Sequence, residues 1–409
     1  MIPADRPAAA CLAGYLREIA SAVEKNLVSE SDIAVVVVDD GTDAEYAVNA
    51  DAVERTCRRC ILSDVATFHI GPEATRDFLA SITGGDAAAA GLFEKHGRNY
   101  GRIGNILSLI ALSFGTTFIH RRDSDTVLHT DGERISSPLE AELLFFSTAD
   151  PSCSMVGSNY NGQPDIDISL LHDRPQSIVQ VYSLVGMSET AIREKLEPFQ
   201  PRFTDEICTG TAGDALWPEM GNIAYRDIFR SVALPPHERT LGTDYLFLHC
   251  CDMAGSPVTL HNQRVDHLHS TARRTASYYK QYYAMLSRCI DYYTIYGHLF
   301  GERLQCGTFT PIDFLDKLRL LADRLPYRAE ERVERLRRFA ELFTCHPDAS
   351  ARDVGSVLVS GINRVLAEND CFLHQHIALQ KRWESLADRA SHTDPDAFFV
   401  PVEAVAGHA

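Results

Sequence analysis

IAVVVVDDGTD, residues 33–43, decides how the rest of the chain is read. Its β-branched run favours extended backbone, and it ends in Asp39 and Asp40 just before Gly41. A second short run, GTTFIHRRDSD at residues 115–125, ends in Asp123 and Asp125. In an open α/β sheet ligands bind beyond the carboxyl ends of the parallel strands, so two acidic clusters at two such ends are expected to converge on one crevice. That crevice suits a cation and a phosphate ester.

Working outward, strand and helix signals alternate. Residues 8–24 carry Leu12, Tyr15, Leu16, Ile19 and Val23 at helical spacing. Further strands are expected at 65–70 and 116–120, and helices at 72–82 and 101–114. This rhythm predicts an α/β fold with a parallel sheet and helices on its faces. Residues 136–218 mix short apolar runs with Pro, Gly and Asn, and read as antiparallel or loop-rich structure over the sheet edge. Residues 220–225, a helix at 243–254 and a strand at 257–261 close the first domain. From residue 270 strand signals vanish and helices are expected at 271–300, 311–325, 329–343, 351–368 and 370–390. In the third of these Val333, Leu336, Ala340 and Phe343 share one face. The expected division is 1–269, 270–391 as a helical domain, and 392–409 as a flexible tail. Seven tyrosines between Tyr278 and Tyr296 crowd the first of these helices. Packing accounts for most of them, and stacking against a sugar is the alternative.

The length of 409 residues exceeds what one growing core usually serves, so two domains or a domain with a large appendage are expected. A net charge of −17 repels phosphate backbones and anionic lipid, which argues against nucleic-acid or membrane-surface binding. The first residues lack the basic and apolar regions of a secretory signal, and no run of about 18 apolar residues exists to span a bilayer. A cytoplasmic location is expected. The eleven cysteines fit reduced thiols better than a disulfide framework. Cys57 and Cys60 form a CxxC without the second ligand pair that a zinc site needs.

Asp123 and Asp125, two apart on an extended segment, point the same way and can face one hard cation such as Mg²⁺ or Mn²⁺. Alone such a triplet is weak, and Asp165 and Asp167 form another. Order is what distinguishes it. The strand ending at Asp40 is followed by Asn99-Tyr100-Gly101-Arg102-Ile103-Gly104-Asn105, then by the strand with Asp123 and Asp125, then by Gly221-Asn222-Ile223-Ala224-Tyr225-Arg226, Gly242-Thr243-Asp244-Tyr245 and Val265-Asp266-His267-Leu268-His269.

This ordered series, over residues 2–269, resembles the family-2 glycosyltransferases of the GT-A fold. The resemblance implies a GT-A-like mixed sheet with flanking helices, to which a C-terminal all-helical domain is added. It implies that Asp40 contacts the nucleotide base, where a carboxylate accepting the uracil imino N–H favours UDP. Asn99 and Arg102 are placed at the nucleotide sugar, Arg102 on the diphosphate through its planar fork. Asp123 is placed at the ribose and metal, Asp125 on the metal, and His267 or His269 as a further ligand that favours Mn²⁺ over Mg²⁺. Asp244 is implied as the base in an inverting transfer; its other reading is a helix cap. The implied partners are a nucleotide-sugar donor and a small-molecule or peptide acceptor, with any homo-oligomer contact made through the helical domain. Residues 159–167 and the tyrosine-rich helix are expected at the acceptor pocket, and an acceptor that diffuses freely, such as a specialised metabolite, fits a chain without membrane anchors.

The chain departs from that pattern in three ways. It opens at Met1 with almost nothing before the loop at Pro3–Pro7, so the family's first strand is expected to be absent or supplied otherwise. Thr243 stands where the family has Glu, and Arg121-Arg122 precede Asp123. Two rivals remain. The spacing Asp123-x-Asp125-x-Val127 fits haloacid-dehalogenase-like phosphatases with Asp123 as nucleophile, although two strand–helix units precede it here. The other is a non-catalytic sugar-nucleotide-binding protein.

Overall fold

The computed structural model describes residues 1–402 apart from 5–6, 61, 63, 95–98, 152, 162–165, 172, 190–191, 193–206, 208, 212–217, 244–247, 250–257, 269–273 and 301–310. The strands are β1 (Ile2–Ala4), β2 (Ala34–Asp39), β3 (Ala66–Ile70), β4 (Phe118–Arg122), β5 (Thr126–Leu128), β6 (Thr130–Asp131), β7 (Arg134–Ile135), β8 (Met155–Gly157), β9 (Tyr160–Asn161), β10 (Thr209–Thr211), β11 (Asn222–Arg226), β12 (Thr259–His261) and β13 (Val265–His267). The helices are α1 (Ala9–Glu24), α2 (Asp43–Cys57), α3 (Pro72–Thr83), α4 (Ala87–Gly91), α5 (Tyr100–Ser113), α6 (Pro138–Thr148), α7 (Pro175–Leu184), α8 (Ile228–Ser231), α9 (Ala276–Phe300), α10 (Pro311–Arg324), α11 (Ala329–Thr344) and α12 (Ala349–Ser391).

The valine run becomes β2, and its alternation decides the layering. Val35 and Val37 pack with Leu12, Leu16 and Ile19 of α1 and Val53 of α2. Val36 and Val38 pack with Phe78 of α3 and Ile106, Leu109 and Ile110 of α5. A strand buried on both faces is what a parallel sheet between two helix layers requires. β1, β2 and β3 are parallel, with Ala4 opposite Asp39 and Val38 opposite Ile70. β4 continues this set in the parallel sense, because the Met1 nitrogen donates to the His120 carbonyl and the Arg122 N–H donates to the Met1 carbonyl at 3.1 Å. Beyond β4 the order is β11, β8, β12 and β10, with β11 antiparallel to both neighbours. A second, small sheet of β5, β13 and β9 follows directly from the end of β4. In it His267 is opposite Thr126.

Five expectations are corrected. The first strand is present: Ile2–Ala4 makes it, and three residues suffice because both flanks are bonded. β4 lies two residues later than 116–120. The stretch from 136 to 218 contains α6 and α7, each opened by a proline at its first turn, where the missing N–H costs nothing. The helices expected at 351–368 and 370–390 are one helix of 43 residues. Asn369, which reads as a break, is fully buried and donates to the Arg288 carbonyl at 3.0 Å and to Asp291 Oδ2 at 2.9 Å. The start of the tail is docked rather than flexible: Phe399 is buried against Phe78 and Phe114, Pro401 bridges Phe68, and the Val402 N–H donates to the Thr67 carbonyl at 2.7 Å. Most of the helix expected at 243–254 lies outside the described residues.

The change from α/β to helical at residue 270 is one of element type and not of packing. One core contains Val36 and Ile106 from the sheet side together with Tyr292, Phe314, Leu373, Trp383 and Leu386 from the helices. A separate cluster, with Leu286, Phe339, Phe343, Val354 and Leu358, joins α9, α11 and α12 to Val181 and Tyr182 of α7. Among the described residues no helix is long and apolar enough to cross a membrane.

Candidate functional site

β2 and β4 end on the same edge of the sheet with β1 between them, so their carboxyl ends stand two strand spacings, about 10 Å, apart. Past β2 the two aspartates part. Asp39 is buried: it accepts from Asn49 Nδ2 at 2.7 Å and from the Gly41 N–H at 2.9 Å, and His69 Nε2 lies at 3.4 Å. Asp40 turns out, its backbone N–H donating to the Ala4 carbonyl. Its carboxylate pairs with Arg102 at 2.6 Å. Thr42 and Glu45 close a capping box that starts α2 immediately afterwards and fixes this turn.

The Asn99–Asn105 segment serves mainly to hold backbone. Asn99 caps α5 by accepting from the Arg102 N–H at 2.7 Å, and its amide donates to the Pro236 carbonyl at 3.1 Å. Asn105 exchanges two hydrogen bonds with the backbone of Leu234. At Gly101 a Cβ would stand 1.8 Å from the Pro235 carbonyl oxygen, so only glycine permits the contact. On the other side of the same segment, Gln380 bonds the Ala233 N–H and the Ser231 carbonyl, His376 Nε2 donates to the Ala233 carbonyl, and Trp383 donates to the Phe229 carbonyl. Asn99 is thus buried as a cap, and Arg102 is turned to Asp40 and to the Phe93 carbonyl.

Past β4 lies a tighter group. Asp123 accepts from Arg121 at Oδ1 and from the Tyr160 hydroxyl at Oδ2, each at 3.1 Å. Asp125 Oδ2 stands 3.4 Å from His267 Nε2, and the His267 ring stacks on Tyr160 at 4.7 Å. A Cβ at Gly221 would be 2.0 Å from the Tyr160 hydroxyl and 2.4 Å from Asp123 Cγ. Burial alone would lower the His267 imidazole, but the hydrogen bond and charge of Asp125, with Asp123 and Glu219 behind it, carry it above its usual value. Burial first, then Asp123, Glu219 and Asp125, hold the Tyr160 phenol well above its usual value, so it stays a donor.

Arg121 and Arg122, which precede Asp123 in the sequence, are engaged within the fold. Arg121 is committed to Asp123. Arg122 is buried, bonded to Glu142 at 2.8 Å, with Glu18 at 3.7 Å and the Tyr15 ring 5.4 Å away. Glu142 also accepts from His120 at 2.8 Å. Burial pushes the Glu18 carboxyl up to about 7, while Arg122 and the histidines overcome burial and hold Glu142 well below the usual carboxylate range.

The tyrosines of α9 make a clamp. Tyr278 donates to Asp167 Oδ2 at 3.1 Å, Tyr283 donates to the Asp167 carbonyl at 2.7 Å, Tyr282 accepts the Asp167 N–H at 2.7 Å, and Tyr279 meets Ser169 at 3.0 Å. These hydrogen bonds account for four of the seven tyrosines, and they fix the backbone at Asp167 and Ser169. Asp244, His269 and Asp165 lie outside the described residues.

Asp123, Asp125 and His267 supply the oxygen and nitrogen donors that Mn²⁺ or Mg²⁺ takes, with imidazole favouring the former. Asp125 and His267 face each other and Asp123 stands beyond the cradle at Gly221, so the described residues give such an ion two facing donors and not a closed set. Asp123 Oδ2 is taken by Tyr160, and among the described residues no three or more His, Cys, Asp or Glu side chains are grouped to hold a metal ion. Glu219 was not marked in the sequence, and Tyr160 was marked only within the segment 159–167 expected at the acceptor pocket, not as a partner of Asp123. Gly221 carries a signal, as a glycine opening a strand.

Fold and site together define a mixed α/β protein with a helical C-terminal region and an acidic, histidine-bearing cluster at the carboxyl ends of its parallel strands. The chain belongs to the family described as "Family of unknown function (DUF6271)", whose model matches residues 1–398. No curated protein matches it.

Proposed function

We propose that this chain is a GT-A-like, metal-dependent glycosyltransferase that moves a sugar from a nucleoside diphosphate, UDP by preference, to a small-molecule or peptide acceptor. The observation that carries the reading is the placement of Asp40 and of the Asp123–Asp125 pair beyond the carboxyl ends of β2 and β4, either side of β1, where α/β sheets bind ligands. In this reading Asp40, steadied by Arg102, accepts the imino N–H of the base. Asn99 acts through Arg102 and the 233–236 backbone rather than on the donor. Asp125 and His267, with Asp123, would hold Mn²⁺ or Mg²⁺ only together with the donor's own diphosphate. Such an ion would supply positive charge against the leaving group. Asp244 keeps the role of base that the resemblance gives it. The clamp at Asp167 is assigned to the acceptor side in this reading.

The phosphatase alternative is less well supported, because the strand that carries Asp123 is the fourth in the chain. Thermal melting with UDP, with and without Mn²⁺, tests the proposal. Ligand at a hundredfold excess over its Kd adds about 2.7 kcal/mol to stability, so UDP with Mn²⁺ is expected to raise the Tm by several degrees. CMP is expected not to. No shift with any nucleoside diphosphate would sink the reading.

A further inference from the structure

We propose that His237 and His376 form an acid-sensitive clasp: neutral, they keep the strap of residues 229–237 fastened between α5 and α12, and on protonation they release it together with the start of α5 that it seats. The strap is fastened on both sides. α12 holds it through His376, Gln380 and Trp383 at Ala233, Ser231 and Phe229, and α5 holds it through Asn105 at Leu234, Gly101 at the Pro235 carbonyl and Asn99 at the Pro236 carbonyl.

His237 ends the strap fully buried, and neither of its ring nitrogens has a hydrogen-bond partner among the described residues. Its ring stacks on Phe372 at 5.2 Å and meets Tyr292 edge-on, also at 5.2 Å. Buried polar groups are normally paired, and a proton added here makes a buried cation with nothing to receive it. His376 is closed in another way. Its Nε2 donates to the Ala233 carbonyl, so Nδ1 accepts from the Tyr296 hydroxyl at 3.1 Å, and a proton on Nδ1 displaces that donor. The Tyr296 ring lies against both imidazoles, 5.9 Å from His237 and 6.0 Å from His376. The titratable groups that face the pair are Tyr292 and Tyr296 of α9, and Phe314 of α10 and Phe372 of α12 add only apolar rings. Among the described residues no carboxylate acts on either imidazole. Burial first, then His376, hold His237 well below the usual histidine value, and burial lowers His376 to about 4 against the bond to Ala233. Both folded values lie below 6.5, so the fastened strap stays neutral where a released one takes up protons. Fastening is therefore fully present above about pH 6.5 and is lost as the pH falls.

The test is amide hydrogen exchange of the full chain across this pH range, read by mass spectrometry and corrected for the pH dependence of the exchange chemistry itself. Each histidine that takes a proton only on release raises the released fraction about tenfold per pH unit, so the Ala233 and Leu234 amides are expected to lose protection about a hundredfold per unit below about pH 6. The Arg102 amide, held by Asn99 Oδ1 at 2.7 Å, is expected to follow them. Val36 and Val38 of β2 report unfolding of the whole chain and are expected to stay better protected. In His237→Phe, which keeps a ring against Phe372, the dependence is expected to drop to about tenfold per unit. Protection at Ala233 and Leu234 that does not change with pH overturns the clasp, and so does a hundredfold dependence that persists in His237→Phe. Equal loss of protection at Val36 and Val38 also overturns it, because the histidines then report only on unfolding of the whole chain. An Arg102 amide that stays protected overturns the release of α5. The wild-type measurements decide the matter even where His237→Phe fails to fold.

Discussion

A methyl group at Gly221 has nowhere to go, because Tyr160 and Asp123 already fill the space at 2.0 and 2.4 Å. Gly221→Ala is therefore expected to cost about 1–3 kcal/mol, the usual range for overpacking, and to abolish the UDP–Mn²⁺ shift in Tm. Gly91 has open space around its missing Cβ and ends α4, so Gly91→Ala is the control, expected to be neutral or slightly stabilising. Urea titration of both variants with wild type checks the pair. The acids of this site were legible as residues because strand ends and alternating carboxylates are local patterns. Their partners were not. Tyr160 reaches Asp123 from 37 positions away, and its segment was expected at the acceptor pocket, not against this carboxylate. Asn99 was legible as special, since an asparagine ahead of a helix serves as cap or ligand, and in the fold it is a buried cap.

At the scale of elements, α1, α6, β4 and β12 meet around Arg122, with Glu18, Glu142, His120 and His261 as the titratable side chains grouped there. One guanidinium serves two buried carboxylates, and Glu18 is the one that takes the proton. A carboxyl raised from 4.5 to about 7 is neutral in the fold when it is charged in the unfolded chain, so its burden on stability is absent below pH 4.5 and grows until about pH 7. Glu18→Gln removes that burden and keeps an acceptor for the Leu139 N–H. Relative to wild type, the variant is expected to gain about 3 kcal/mol between pH 4.5 and pH 7.5, measured by urea denaturation across that range. An unchanged difference across those pH values would refute the assignment. β2, β3 and α5 were readable from β-branched runs and helical spacing. α6 escaped because PLEAELLFFST has little segregation of apolar and polar faces. β1 escaped because three residues carry no period. The interruption expected near Asn369 was a polar residue whose partners belong to another helix.

For the molecule as a whole, the packing of α12 makes one unit out of two element types. Trp383 and Leu386 share a core with β2, β3 and α5, while Val354 and Leu358 of the same helix pack on α11. Arg332 ties α11 to α9 and α12 through Asp291, at 2.7 Å, and Asp370, at 2.6 Å. Unfolding in urea is expected to be one transition, with tryptophan fluorescence and far-ultraviolet circular dichroism superimposing. Two separated transitions would show that the helices fold apart from the sheet. A 43-residue helix is about 65 Å long at 1.5 Å per residue. Such an axle, cemented at both ends, leaves no pivot by which sheet and helices swing against each other. A load put on either end of that rod is therefore carried into sheet and helices at once.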